Sequence, residues 1–396
     1  MNSEQARCVT HRFDLLVLGS GPAGSAAAIT AARAGLSVAL IDKAAFPRDK
    51  LCGGLITGRT VRYMDGIFGL PVLPHLFRPS TRFRLTYQGR VIGRDDDAPA
   101  LQMTMRRDFD AELHARAQAA GVTVFAPVRV TSIDTEAPGL MLSDGRTLSG
   151  RVLIGADGAN SAVARALFGR AYDPAEIGFG LEVELDRAEM PDDDTTEVDL
   201  GAALWGYGWV FPKHGSVTLG VGGGHAQNPD MKAHFRAYLT QHAPHIAPDR
   251  VKCKGAFLPF GAYRKTPGRG AVLLAGDAAG LVDPITGEGI AWAMKSGEFA
   301  GQAAAEAIRQ DRPAMEAYMA RLGYIHREMA AARRIRTLIY APIIRRHFPR
   351  VVERNPSMTR SYLRLLSGQI DYADLGSRVL WRTARRFVTA MLPRGR

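Results

Sequence analysis

Cysteine is scarce in this sequence. Cys8, Cys52 and Cys253 are the only three in 396 residues, and they lie far apart. So few thiols exclude a disulfide framework or a clustered zinc site and point to a reducing compartment. Long apolar runs are missing too: none reaches the roughly 20 residues that a membrane-spanning helix needs. The opening MNSEQARCVTHRFD lacks the apolar centre of a secretory signal, so a cytoplasmic location is expected. The histidines have no ligand-like spacing, and no metal is expected. Lysine is absent beyond Arg333, where fifteen arginines face three acids. That excess equals the net charge of +12 of the whole chain, so the remainder is balanced. Such a tail suits an anionic membrane surface, at the inner face of the membrane, or a salt-bridged, solvated helix. Nucleic acid is not an expected partner, because no recognised binding module accompanies the basic residues.

Glycine, by contrast, is abundant, and it is concentrated in punctuated segments. "FDLLVLGSGPAGSAAAITAARAGLSVALIDK" spans Phe13 to Lys43. It reads as a buried strand Phe13–Leu18, a helix Ser25–Ala34 ended by Gly35, and a second strand Leu36–Ile41. Between the first strand and the helix lies Gly19-Ser20-Gly21-Pro22-Ala23-Gly24, a GxGxxG in the setting that a dinucleotide loop requires. Gly19 permits the tight turn, Gly21 lets a pyrophosphate approach the backbone, and Gly24 lets the helix pack on the strand. The helix N-terminus then binds the anion. Asp42, followed by Lys43, stands at the end of the second strand, where an acid bonds a ribose diol.

Further strands are expected at Leu101–Met105, Val122–Phe125 and Val128–Ile133, with a helix Phe109–Ala120 and a hairpin turn at Asp144-Gly145. The strand Val152–Ile154 delivers Asp157-Gly158, and another apolar strand delivers Gly276-Asp277. Gly287-Glu288-Gly289-Ile290 then opens a long helix whose N-terminal amides suit a bound cofactor; the backbone of Glu288 belongs to that contact, while its carboxylate suits a helix cap rather than a ligand. Helical periodicity is weak from about 179 to 258, and alternating stretches such as Thr196–Leu200 and Ser216–Val221 predict an antiparallel sheet. There Trp205, Tyr207, Trp209 and Phe211 alternate, which places all four on one face of a strand. That face suits either an apolar wall for a long ligand or an ordinary sheet core.

A single GxGxxG does not distinguish FAD from NAD. The added segments 157–158, 276–277 and 287–290 do, because a dissociable nicotinamide needs none of them. Together they resemble the FAD-dependent para-hydroxybenzoate hydroxylase-like superfamily over about residues 13–310. "FPRDKLCGG" (46–54), "MRRDFD" (105–110) and "YGWVFPK" (207–213) are more specific, and resemble motifs of the geranylgeranyl reductase family. The resemblance implies a Rossmann-like α/β FAD-binding domain with an inserted, mainly antiparallel substrate domain and a helical C-terminal region. The expected division assigns 1–78, 101–178 and 266–330 to FAD binding, 79–100 and 179–265 to the substrate domain, and 331–396 to the basic helical end.

The resemblance further implies that Arg106 contacts FAD, that Cys52-Gly53-Gly54 lies beside the flavin, and that Tyr207, Trp209, Phe211 and Pro212 line a substrate channel. Val128 joins the expected cofactor contacts. The reaction implied is saturation of carbon–carbon double bonds in a polyprenyl group on a lipid, quinone or chlorophyll-like pigment. NAD(P)H or ferredoxin is the expected electron donor, since no second GxGxxG serves a resident nicotinamide. Cys52 is a candidate proton donor, or else a small buried residue between glycines. The rival activities are an aromatic monooxygenase or halogenase and a flavoprotein electron relay. A halogenase would carry Trp-x-Trp-x-Ile-Pro, from which "WGYGWVFPK" departs.

Overall fold

The computed structural model describes residues 10–260 and 262–375. Cys8 and the last stretch of the basic tail, "RVLWRTARRFVTAMLPR", lie outside the described residues.

Two large sheets organise the chain, beside a small third one of Leu55–Ile56, Leu101–Met103 and Arg78–Ser80. The first has eight strands, with Gly268–Arg269, Val272–Leu274, Thr147–Gly155, Thr10–Leu18, Val38–Ile41 and Thr123–Phe125 in spatial order. The pairs from Val272–Leu274 through to Thr123–Phe125 are parallel. Parallel strands need covered faces, and these are nearly continuous apolar runs: Leu15, Leu16, Val17, Leu40, Ile41, Leu153 and Ile154 are all fully buried. The Asp144-Gly145 turn joins Gly139–Leu142 to Thr147–Gly155 as an antiparallel hairpin.

The Ala-rich opening helix runs from Pro22 to Arg33, three residues earlier than its sequence pattern suggests, because Pro at the first helical position is preorganised for the turn. It packs closely on the helix Ile290–Gln310. The contact needs glycine: a Cβ at Gly297 would lie 2.1 Å from the Ala23 carbonyl, and one at Gly301 would lie 2.5 Å from that of Ala27. This close packing sets the start of the first helix beside the second turn of the other and beyond.

The second sheet has seven strands in the order Lys254–Leu258, Gly178–Asp186, Ser216–Gly224, Tyr207–Pro212, Thr196–Asp199, Phe83–Tyr87 and Arg90–Asp95. It is antiparallel except where Thr196–Asp199 runs parallel to Phe83–Tyr87. One face carries the helix Met231–His242, packed on Leu181, Val183, Leu185, Leu219 and Val221. The other carries Trp209 and Phe211, covered by Val352, Leu363 and Leu366 of the helices Pro342–Glu353 and Pro356–Leu366.

One expectation about this sheet is corrected. Trp205 is not on the aromatic strand, which begins at Tyr207. Its backbone is left-handed (φ 54°), and its ring stacks on Tyr340 at 5.1 Å. Alternation of residue type therefore continued past the end of the hydrogen-bonded ladder. No described helix is long and apolar enough to cross a membrane.

Candidate functional site

The four glycine-rich segments converge at the ends of the first sheet's strands. Gly19 has φ 101°, and a Cβ there would lie 2.4 Å from the Ala156 carbonyl and 2.9 Å from Asp157 Cα. A Cβ at Gly24 would lie 1.7 Å from the Gly19 carbonyl. Both glycines are thus required by the fold itself. Gly21 is different. Its φ of −79° suits any residue, and the nearest atom to a Cβ would be Arg48 Nη2 at 3.7 Å. Among the described residues, apart from its chain neighbours, no other atom comes within 4 Å of that Cβ position.

That space fits a phosphate. It lies at the N-terminus of a 12-residue helix that has no side-chain cap, with a guanidinium facing it. Arg48 was not among the residues expected from sequence, although it lies within the quoted 46–54 motif. Gly276 (φ 60°) completes the floor, because a Cβ there would press on Ala23 and Ala293 of the two helices. The helix Ile290–Gln310 likewise has Gly289 at its N-cap and no side-chain cap.

The other expected cofactor residues fall around this cradle. Asp42 accepts the Ser20 N–H at 2.8 Å and the Ala44 N–H at 2.9 Å, so its carboxylate shapes the loop. Lys43 is exposed. Val128 donates its N–H to the Asp42 carbonyl at 2.9 Å. Asp157 accepts from Ala162 N–H at 2.6 Å, while its other oxygen is buried without a partner, and burial pushes its pKa up. Gly158 takes φ 80°. Asp277 is half-buried at the start of the turn Gly276–Ala279. Sequence patterns gave no sign of His114, whose Nδ1 lies 2.6 Å from Ser20 Oγ and whose ring stacks on Phe46 at 4.3 Å.

Glu288 does not cap its helix. Its buried carboxylate accepts from the Thr57 hydroxyl and lies 3.9 Å from Arg59 Nε. Burial pushes its pKa up to about 7 despite that guanidinium.

Arg106 holds Asp110 with two bonds, Nε–Oδ1 at 2.7 Å and Nη2–Oδ2 at 2.8 Å, and the Cys52 side chain lies against it. Arg48 reaches the same Asp110 at 3.1 Å. Asp110 is fully buried, so it orients both cations at once. Cys52 donates its backbone N–H to Glu182 Oε1 at 2.8 Å.

The aromatic strand meets the cradle at two points. Gly53 lies against it, since a Cβ there would be 2.8 Å from the Phe211 ring and 3.1 Å from Trp209 Nε1. Tyr207 donates its hydroxyl to the Thr286 carbonyl at 2.7 Å, and a Cβ at Gly287 would sit 2.2 Å from that oxygen. Trp209 Nε1 itself is buried without a partner. Pro212 ends the strand beside Lys213, which is 3 % exposed.

Comparison with known proteins bears on the family and the fold. The family model of FAD-dependent oxidoreductases matches residues 14–166. The chain is 30% identical over 327 residues to a geranylgeranyl diphosphate reductase of Rhodobacter capsulatus, covering 79% of this chain and 80% of that protein. It is also 30% identical over 311 residues to a menaquinone reductase of Mycobacterium tuberculosis, covering 73% and 76% respectively. A geranylgeranyl bacteriochlorophyll reductase-like structure from Thermoplasma acidophilum superposes with a TM-score of 0.76 at 21% identity, over 96% of this chain and 98% of that one. A flavin-dependent brominase shares the fold with a TM-score of 0.73 at 20% identity, over 96% of this chain and 100% of that one. The chain belongs to the geranylgeranyl reductase family of FAD-dependent oxidoreductases.

Proposed function

We propose that this protein saturates double bonds of a polyprenyl group carried by a lipid or quinone, using FAD held in the glycine-lined cradle. One observation carries the reading: an apolar strand, Tyr207–Pro212, touches both the Cys52-Gly53-Gly54 loop and the Gly287 turn. A hydrocarbon wall therefore ends where the cofactor site begins. When bound and reduced, FAD supplies hydrogen with its electron pair. The chain's own residues do the rest. The amides of Gly21, Ala23 and Gly24 and the Arg48 cation would hold the pyrophosphate, and Asp42, Val128, Asp157, Gly158, Gly276, Asp277 and Gly287–Ile290 would shape the remaining contacts. Trp209 and Phe211 exclude water from the alkene. We further assign the residues 79–100 and 179–265 to substrate binding, since they build the second sheet.

Anaerobic incubation of the reduced protein with a geranylgeranyl lipid or menaquinone, followed by mass spectrometry, tests the reading. Gain of one hydrogen pair per saturated bond is expected. Oxygen inserted into an aromatic ring, with prenyl chains untouched, would sink it.

Cys52 borders the reacting end through its bonded loop. If its thiol passes a proton to the carbon skeleton, Cys52→Ala keeps FAD and flavin reduction but loses saturation by about a hundredfold. Unchanged turnover leaves the thiol only a packing role.

The basic C-terminal region is assigned to reversible contact with an anionic membrane, from which a poorly soluble prenyl chain must be collected. Each arginine at the surface contributes about 1 kcal/mol. Co-sedimentation with anionic liposomes is expected at low salt, and should weaken at high salt and in a chain truncated after Asp374. Binding to neutral and anionic liposomes alike, unaffected by salt, would contradict the assignment.

A further inference from the structure

Along the strand Gly178–Asp186 successive residues point to opposite faces. Leu181, Val183 and Leu185 pack under the helix Met231–His242. Glu182 and Glu184 therefore share the other face with Trp209. In register Glu182 stands between Lys254 and Gly220, and Gly220 stands opposite Trp209. The bare Cα of Gly220 is what lets the indole lie beside the glutamate. A Cβ there would sit 2.3 Å from Trp209 Cζ2 and 2.9 Å from Glu182 Cβ.

Glu182 is 7 % exposed. Its Oε1 accepts the Cys52 N–H, but Oε2 is buried with no hydrogen-bond partner. Asp157 likewise leaves one oxygen without a partner, but two other buried carboxylates are better satisfied. Asp110 is shared by two guanidinium groups, and Asp283 accepts from two backbone amides and the Tyr372 hydroxyl. An ionised oxygen left dry is costly, so the protonated form is favoured. Burial pushes the Glu182 pKa up to about 7, against the pull of Lys213. A group poised there is an effective general acid at neutral pH.

Lys213 acts on Glu182 electrostatically without bonding it, and from Lys213 a polar chain runs to solvent. Lys213 carries its ammonium, 4 % exposed as a side chain, to Glu184 Oε2 at 3.2 Å. Glu184 also accepts from Thr218 Oγ1 at 2.6 Å and from the exposed Ser216 hydroxyl, and its side chain is 34 % exposed.

We propose that Glu182, rather than the Cys52 thiol, is the proton donor of the reduction, acting between the Cys52 loop and Trp209, and that Lys213 and Glu184 return a proton to it from solvent. This rests on the prenyl-reductase reading. One alkene carbon takes hydrogen with its electron pair from reduced FAD. The O–H bond of Glu182 breaks, and its proton forms the C–H bond at the other carbon. Oxidised FAD and a carboxylate remain, and the carboxylate regains its proton from water along Lys213 and Glu184.

The charged groups around Glu182 are Lys213 from the aromatic strand's end, Glu184 on its own strand, Lys50 from the loop before Cys52, and Lys254 on the neighbouring strand. Lys254 is engaged with Asp49 at 3.2 Å. An acid with a raised pKa is protonated below it, so saturation should slow as pH rises through about 7.

The test uses the full chain loaded with FAD, with geranylgeranyl diphosphate as probe. After anaerobic reduction by dithionite, Glu182→Gln should saturate the probe about a hundredfold more slowly in a single turnover and lose the fall above neutral pH. Flavin content, flavin reduction and melting temperature should match the wild type. Glu182→Asp should recover part of the rate with a displaced pH profile. A second readout needs no turnover: in infrared spectra, the protonated-carboxyl intensity that fades through neutral pH should be smaller in Glu182→Gln than in the wild type, leaving the share that buried Glu288 contributes. A wild-type rate and profile in Glu182→Gln, or carboxyl intensity identical to the wild type, overturns the assignment alone. A wild-type protein that leaves the probe, geranylgeranyl lipid and menaquinone unsaturated overturns the prenyl reading and this assignment together.

Discussion

Gly21→Val should yield a folded protein that purifies almost colourless. The expectation follows from the contrast among the three loop glycines. A side chain at Gly19 or Gly24 collides with backbone, so loss of flavin in those variants would report a damaged fold. At Gly21 the backbone angle suits valine, and the nearest atom to its Cβ among the described residues is Arg48 Nη2 at 3.7 Å. The valine methyl groups would occupy the ligand's space instead. Losing one or two charge-assisted bonds to phosphate costs about 3 kcal/mol, or roughly a hundredfold in FAD affinity. Flavin absorbance per protein and titration of the apoprotein with FAD measure this, with the melting temperature of the apoprotein as the control. A Gly21→Val protein that keeps full flavin would show that the pyrophosphate does not approach here.

The second large effect is expected at Trp209. Its indole is 7 % exposed, lies across Gly220 and Gly222, and contacts the Cys52–Gly54 loop. Trp209→Ala removes apolar surface along the proposed channel. Loss of contact with about two methylene groups of a long chain is worth about 1.5 kcal/mol, near tenfold in kcat/KM. A geranylgeranyl substrate should therefore lose about tenfold more than a short prenyl alcohol that does not reach the indole. The alternative is that Trp209 serves only the core shared with Val352, Leu363 and Leu366. The substitution would then cost about 3–5 kcal/mol of stability and affect every chain length alike. Measuring kcat/KM across a series of chain lengths beside thermal melts separates the two.

Much of the site was legible because its signals are local in the chain. A GxGxxG between an apolar strand and an Ala-rich helix needs only neighbouring residues to be read, and so do the strand-end pairs at 157–158 and 276–277. The second sheet was also legible as alternation, yet its aromatic run was extended one step too far. Residue type at Trp205 fits a strand, but its left-handed backbone and its stacking on Tyr340 are set by a helix more than a hundred residues later. Glu288 was misread for a similar reason. Its place before a helix suggests a cap, whereas Thr57 and Arg59, distant in sequence, take up its carboxylate.

By itself, the sequence determined the α/β nucleotide-binding architecture, the four segments of the cradle, and the family. Each depends on glycine spacing or apolar period, which act through backbone geometry within a few residues. Only the tertiary structure decided which charges serve the site. Arg48, Asp110 and Lys213 lie within quoted motifs that do not reveal their partners, and His114 and Glu182 carry no local signature. Their chemistry comes from desolvation and from partners on other elements. Asp110 binds Arg48 across 62 residues, and Cys52 meets Glu182 across 130. A carboxylate's proton affinity depends on the water removed around it, and that removal exists only once the two sheets and the loop between them have closed together.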